Sequence, residues 1–289
     1  MERLYFNSEQ LDKFSLMSVS GFNNEARIYR YEDYVLKYFN IEIDRYNKEM
    51  LLLEFDKNRQ DIVLNLPEIV MPDFLFYFKN IFRGYLMQFI EGKTLKSVLR
   101  DDSVSFDKKR ECLVKLGEFL EKLDNVRKNN SKLSTLYLND LHANNVMVTP
   151  EGGIRILETD SMRFNNVGNF SAYYLEVPYG SELLDLKNKY DIHYDSFLLS
   201  EGIEYEEMRA NRESDMYCYI MMILEFICGE DIHEKSYVNY KNNINSLLKK
   251  GLPVELFEIF MNIYSEQENI NPYKLLYKLE NHILLKESW

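Results

Sequence analysis

Two six-residue stretches, 26–31 (Ala-Arg-Ile-Tyr-Arg-Tyr) and 34–39 (Tyr-Val-Leu-Lys-Tyr-Phe), alternate in polarity on either side of Glu32-Asp33. That is the pattern of two strands joined by a tight turn. Residues 44–57 then take helical spacing, and after Pro67 the stretches 74–78 and 84–90 return to strand-like runs joined at Lys79-Asn80, before a break at Glu91-Gly92. From Thr94 the period lengthens. Residues 106–126 put Cys112, Leu113, Leu116, Phe119, Leu120 and Leu123 at helical spacing, and 215–228, 254–264 and 272–285 are further apolar helical segments. The expected class is α+β, with short strands around one helix in residues 1–90 and long helices in residues 91–289. A cleft between two such unlike regions is a frequent ligand site.

Composition changes this picture little. A chain of 289 residues with 46% hydrophobic and 28% charged residues is an ordinary globular protein that can bury one large core or two smaller ones. A formal net charge of −12 argues against nucleic acid or an anionic membrane surface as the main partner, since both would repel it. Cys112, Cys218 and Cys228 have neither metal-like nor disulfide-like spacing and read as small buried hydrophobes in a reducing compartment, so a cytoplasmic location is expected. The N-terminal residues lack a signal-like apolar core, and the most apolar run, 217–228, is too short to span a bilayer and contains Glu225.

The densest chemistry lies in Leu138-Asn139-Asp140-Leu141-His142-Ala143-Asn144-Asn145. Val146-Met147-Val148, a turn at Pro150-Glu151-Gly152-Gly153 and Ile154-Arg155-Ile156-Leu157 read as a hairpin that returns the chain to the same edge, where Glu158-Thr159-Asp160 meets Asn145. An Asp five residues before an Asn, with another carboxylate beyond a hairpin, can orient a hydroxyl and hold metal around one phosphoryl group.

On these residues the chain resembles the eukaryotic-like protein kinase family, over about residues 19–283. Gly21-Phe22-Asn23-Asn24-Glu25-Ala26-Arg27-Ile28 is in register with the family's phosphate-covering loop, with Gly21 kept and Asn23 and Ala26 in place of two glycines. Lys37 matches the strand lysine that clamps ATP phosphates. Glu49 and Glu54 are the candidates to hold it, and Glu49 is preferred because Leu53 follows one turn later. Residues 85–95 are similar to the hinge, where the backbones of Gln88 and Ile90 would bond adenine. Ser214-Asp215 and the helix after it resemble the buried central helix of the larger lobe, whose Asp, here Asp215, binds the backbone of the catalytic loop.

The resemblance implies a two-lobed protein-kinase-like fold, with residues 1–90 as the smaller lobe and 91–289 as the larger. It implies ATP and Mg²⁺ as cofactors, Asp140 as the hydroxyl-orienting base, and Asn145 with Glu158 or Asp160 as metal ligands. The acceptor would be a protein hydroxyl, by the family's Ser/Thr default. The chain also departs from the pattern. Leu138-Asn139 replaces His-Arg, which removes the partner for a phosphorylated activation segment. His142 replaces a lysine, as in aminoglycoside- and choline-kinase-like enzymes, so the γ-phosphate contact there is expected to be weaker or pH-dependent. Glu158-Thr159-Asp160-Ser161 resembles the Asp-Thr-Asp-Ser of a bacterial branch, lengthened by one methylene. Pro178-Tyr179-Gly180-Ser181-Glu182-Leu183 is similar to the end of the activation segment, and Glu204, Glu206 and Glu207 lie in an acidic stretch suited to a partner. Two alternatives accompany the kinase expectation: a pseudokinase that binds ATP or a regulatory protein partner, and a small-molecule phosphotransferase.

Overall fold

The computed structural model describes residues 1–7, 14–17, 26–40, 45–165, 167–168, 212–229, 244–261 and 272–284. Within them the chain is a mixed α+β protein, with a β-sheet in its N-terminal region and helices later. The strands β1 (Glu2–Phe6), β2 (Ser15–Leu16), β3 (Ala26–Tyr31), β4 (Tyr34–Phe39), β5 (Pro72–Phe78) and β6 (Ile81–Gln88) form a six-stranded sheet in the order β1-β5-β6-β4-β3-β2. β1 runs parallel to β5, and the other neighbours are antiparallel.

The β3–β4 hairpin forms in the expected register, from Ala26 opposite Phe39 to Tyr31 opposite Tyr34, with Glu32 turning the chain at φ 51°. The turn at Lys79-Asn80 also forms, with both residues at positive φ. β6 starts at Ile81, three residues before the run at 84–90 that the sequence pattern marked, so Gly84 lies within the strand rather than at its start. Gly84 has φ +151°, and a Cβ on it would sit 1.8 Å from the carbonyl oxygen of Lys37. Glycine is what lets β6 approach β4 at that point.

Helix α1 (Arg45–Lys57) fills the stretch 44–57 where the sequence pattern put a helix, and a second helix, α2 (Arg59–Asn65), follows it without having been marked by that pattern. α1 buries Lys48, Leu51, Leu52 and Phe55, a single face at i, i+3, i+4, i+7. After β6 come β7 (Lys93–Thr94), α3 (Leu95–Arg100) and α4 (Phe106–Asn129), the last capped by Ser105, whose side chain accepts from the N–H of Lys108. β8 (Val146–Val148) and β9 (Ile154–Ile156) pair with β7 as a small antiparallel sheet. β10 (Arg163–Phe164) and β11 (Val167–Gly168) form a further pair.

α5 (Arg212–Cys228) and α6 (Val254–Met261) follow, with a helical stretch at 244–249 between them. The helix expected over 272–285 is replaced by a short α7 (Tyr273–Leu276) and a 3-10 turn at Asn281–Ile283, separated where Glu280 turns extended. Leu276, Leu279 and Ile283 still reach the core, so burial is kept without one continuous helix. Most buried apolar residues of α4, α5 and the small sheet belong to one cluster, and Leu113, Leu116, Leu120, Ile220 and Ile223 are among its members. Two smaller clusters line the two faces of the large sheet. The strip before β5 ties the regions together, for Ile156 donates to the carbonyl of Glu68 at 2.8 Å and accepts from the N–H of Val70 at 2.9 Å.

Candidate active site

β4 and β6 supply the first half of the site. Lys37 and Tyr85 are directly opposite one another in the register of those strands, so both side chains leave the sheet on the same face. Both end on one carboxylate. Lys37 Nζ lies 3.0 Å from Asp160 Oδ1, and the Tyr85 hydroxyl donates to the same oxygen at 2.6 Å. The other oxygen, Oδ2, takes Lys48 Nζ at 2.8 Å. Glu158 Oε1 is 3.3 Å from Lys37 Nζ. Lys48 comes from the apolar face of α1 and is as inaccessible as the leucines beside it.

Local backbone geometry aims Asp160 inward. Glu158 adopts a left-handed conformation at φ 59° and ψ 48° and starts a one-turn 3-10 helix over Thr159–Ser161. A non-glycine residue there costs roughly 1–2 kcal/mol, and such strain concentrates at functional positions. Burial alone would push the Asp160 carboxyl up. The ammonium groups of Lys37 and Lys48, with hydrogen bonds from Lys48 and Tyr85, overcome that and hold it well below the usual carboxylate range. Burial, followed by the negative charges of Asp160 and Glu158, raises the Tyr85 phenol well above its ordinary value, so it stays a donor.

The loop at 138–145 supplies the second half. Asn145 Nδ2 donates to the backbone carbonyl of Asp140 at 2.9 Å and to its Oδ2 at 3.1 Å. The backbone N–H of Asn145 closes a turn on the carbonyl of His142 at 2.8 Å, and its carbonyl accepts from Leu157 at 2.9 Å, so Glu158 follows directly beside it. His142 Nδ1 accepts from the N–H of Asn144, which leaves the proton of the neutral ring on Nε2, 3.8 Å from Asp140 Oδ2. Asn139, also left-handed at φ 60°, donates from Nδ2 to the carbonyl of Ser161 at 2.8 Å and joins the two halves.

Asp215, in the first turns of α5, fixes this loop from below. Its Oδ1 accepts from the N–H of Leu138 at 3.1 Å and of Asn139 at 3.2 Å, while Oδ2 pairs with Arg127 of α4. This is the contact the resemblance implied for Asp215. Burial raises its carboxyl above the usual range, and Arg127 and the two backbone donors offset only part of that.

The structure rearranges several expected roles. Glu49 does not meet Lys37; it accepts from the Tyr77 hydroxyl and faces Arg3, because it sits one position round the helix from the buried Lys48. Glu54 turns to Lys57, Asn58 and Asn165. At the end of β6 the N–H of Gln88 is directed at the Asp73 carboxylate, and the next N–H, of Phe89, bonds Asp33 at 2.8 Å. Gly21, Asn23, Glu182 and the acidic stretch at 204–207 lie outside the described residues.

Among the described residues no cluster of three or more His, Cys, Asp or Glu side chains could hold a metal by itself. Mg²⁺ does not need one, since it is commonly bound by one or two protein oxygens plus water and substrate phosphates. The Oδ1 of Asn145 and the carboxylate of Glu158 fit that requirement in kind. Asp160 fits it poorly, with both oxygens already engaged.

Three contributors escaped the sequence reading: Lys48, Tyr85 and Arg127. Only Lys48 left a readable trace, a lone charge on the stripe 48-51-52-55. Compared with known proteins, the chain matches no family model and no curated protein.

Proposed function

We propose that this chain is an ATP- and Mg²⁺-dependent phosphotransferase of the protein-kinase type, with two lobes meeting at the site and a protein hydroxyl as acceptor. The observation that carries the reading is the Asp215 clamp. A carboxylate more than seventy residues further along the chain holds the two backbone N–H groups immediately before Asp140. A surface Asx turn needs no such support, whereas a base that must point one way does.

In this reading the Lys37 ammonium receives the α/β-phosphates. Asp140 accepts the hydrogen bond of the incoming hydroxyl and so orients it, while Asn145 holds Asp140 from the other side. When bound, Mg²⁺ would neutralise phosphate charge, with Asn145 and Glu158 as its protein ligands. His142, close to Asp140, adds positive charge toward the γ-phosphate only when protonated. Asn139 ties the loop to Ser161 by an uncharged hydrogen bond, so no phosphorylated residue is required to dock there. The acidity of the chain and the absence of a membrane-crossing helix among the described residues suit a cytoplasmic protein acceptor.

A nucleotide-binding module without turnover is the second reading. It is favoured by one observation, the neutralisation of Asp160 by two lysines. Transfer of labelled γ-phosphate from Mg-ATP to the chain itself and to a generic protein acceptor separates the two. Asp140→Ala should lower transfer about a thousandfold while sparing nucleotide binding. Unchanged transfer removes Asp140 as the base. No transfer by the wild type, with nucleotide bound, favours the second reading.

A further inference from the structure

Lys37, Lys48, Asp160, Glu158 and Tyr85 form one group, drawn from β4, α1, the turn after β9, and β6. Its two carboxylates are not equivalent. Asp160 is 0 % exposed, its Oδ1 shared by Lys37 and Tyr85 and its Oδ2 bound by Lys48. A dication placed against it would face two ammonium groups across a few ångströms and would have to shed the waters Mg²⁺ normally keeps. The Glu158 side chain is 20 % exposed, touches one lysine, and follows directly the residue whose N–H bonds the Asn145 carbonyl. Unlike Asp160, it is partly open to solvent and so keeps access to water.

Resting on the phosphotransfer reading, we infer that Asp160 is a positioning residue rather than a metal ligand. Clamped by Lys48, it fixes the Lys37 ammonium, and the metal falls to Glu158 with Asn145. Helix α1 thus contributes a cation where a carboxylate was expected, and the carboxylate that holds Lys37 comes from the turn after β9. The helix end of the contact changes sign, one carboxylate is inserted, and Lys37 is still held by a carboxylate. Without Lys48, the Asp160 charge would keep the Tyr85 hydroxyl but draw more strongly on the Lys37 ammonium and compete with phosphate for it.

Binding of trinitrophenyl-ATP, titrated once in EDTA and once in excess Mg²⁺, tests this without needing turnover. The EDTA affinity reports Lys37, and the ratio of the two affinities reports the metal-facing carboxylate. Glu158→Gln should lose that ratio while binding at least as tightly as wild type in EDTA. Asp160→Asn should keep the ratio. Lys48→Met should weaken EDTA binding about tenfold, the loss of one charge-assisted contact, and Lys48→Arg should restore it.

If single substitutions unfold the chain by melting, the double variant Lys48→Met/Asp160→Asn removes one charge of each sign and should still keep the ratio. Loss of the ratio in Asp160→Asn or the double variant, with Glu158→Gln unaffected, overturns the inference. A Glu49→Gln variant that loses as much EDTA affinity as Lys48→Met would return the role to the helix glutamate and also overturn it. If the wild type binds no nucleotide in either buffer, the phosphotransfer reading itself falls, and the inference with it.

Discussion

Two aspartates, Asp160 and Asp215, are both buried, and their acidities move in opposite directions. Both are penalised by desolvation. Asp160 meets two ammonium groups and a phenol, and its charge is secured. Asp215 meets one guanidinium and two backbone N–H groups, and that is not enough to restore its ordinary acidity. Burial, then, does not decide the state of a carboxylate; the number of full countercharges that reach it does. The region around Asp160 is an electrostatic assembly to which β4, β6, α1 and the turn after β9 each contribute a side chain. The region around Asp215 is chiefly a hydrogen-bonded support for backbone.

The comparison is broken most severely by removing one cation from the Asp160 side. Lys48→Ala should cost about 3–5 kcal/mol in urea unfolding, because it strands part of a buried charge, and the neutral pair Lys48→Met/Asp160→Asn should recover much of that loss. Gly84→Ala should cost roughly 3 kcal/mol in the same assay. Its Cβ meets the Lys37 carbonyl and forces β4 and β6 apart where Lys37 and Tyr85 leave the sheet.

On the other side, Asp215→Asn should cost about 2 kcal/mol, since a carboxamide cannot serve both backbone donors and Arg127 alike. If the chain is the phosphotransferase proposed above, the substitution should also lower phosphoryl transfer more than nucleotide affinity, because the loop that Asp215 supports carries Asp140.

Acid titration sharpens the contrast further. Asp160 has a folded pKa below its unfolded value of about 3.9, so its contribution is present above about pH 4 and is lost as pH falls toward the folded value. Asp215 has a folded pKa above its unfolded value, so its contribution is full below about pH 4 and is lost as pH rises through the folded value. Urea midpoints between about pH 3 and pH 7 should therefore fall less steeply on acidification in Asp160→Asn than in wild type, and more steeply in Asp215→Asn.

The smallest effect expected is for Asn139→Gly. It relieves a left-handed asparagine and loses the bond to Ser161, so stability should stay within about 1 kcal/mol of wild type.

Local pattern was a good guide wherever one periodicity ran unbroken. The β3–β4 hairpin, α4 and α5 lie close to where alternation or helical spacing put them, since each is defined by neighbours within a few residues. It began β6 three residues late, at Gly84 rather than Ile81, and it failed over 272–285, where leucines at spacings of three and four suit α-helix and 3-10 turn alike. The parallel pairing of β1 with β5 was not legible either, because a pairing across seventy residues leaves no mark in a short window. In the site, the loop from Asp140 to Asn145 and its hairpin were readable as a unit. Glu49 was not readable as a residue that faces Tyr77, since its direction depends on which helical face Lys48 occupies.

The α+β class, the β3–β4 and β8–β9 hairpins, helices α4 and α5 and the residues of the 138–145 loop follow from the sequence alone, because periodicity and turn chemistry act over a few residues. Tertiary structure alone decided which carboxylate Lys37 would find. Coulomb attraction in a desolvated interior depends on distances between segments far apart in the chain, and it was the rotation of α1 that brought Lys48, rather than Glu49, to Asp160.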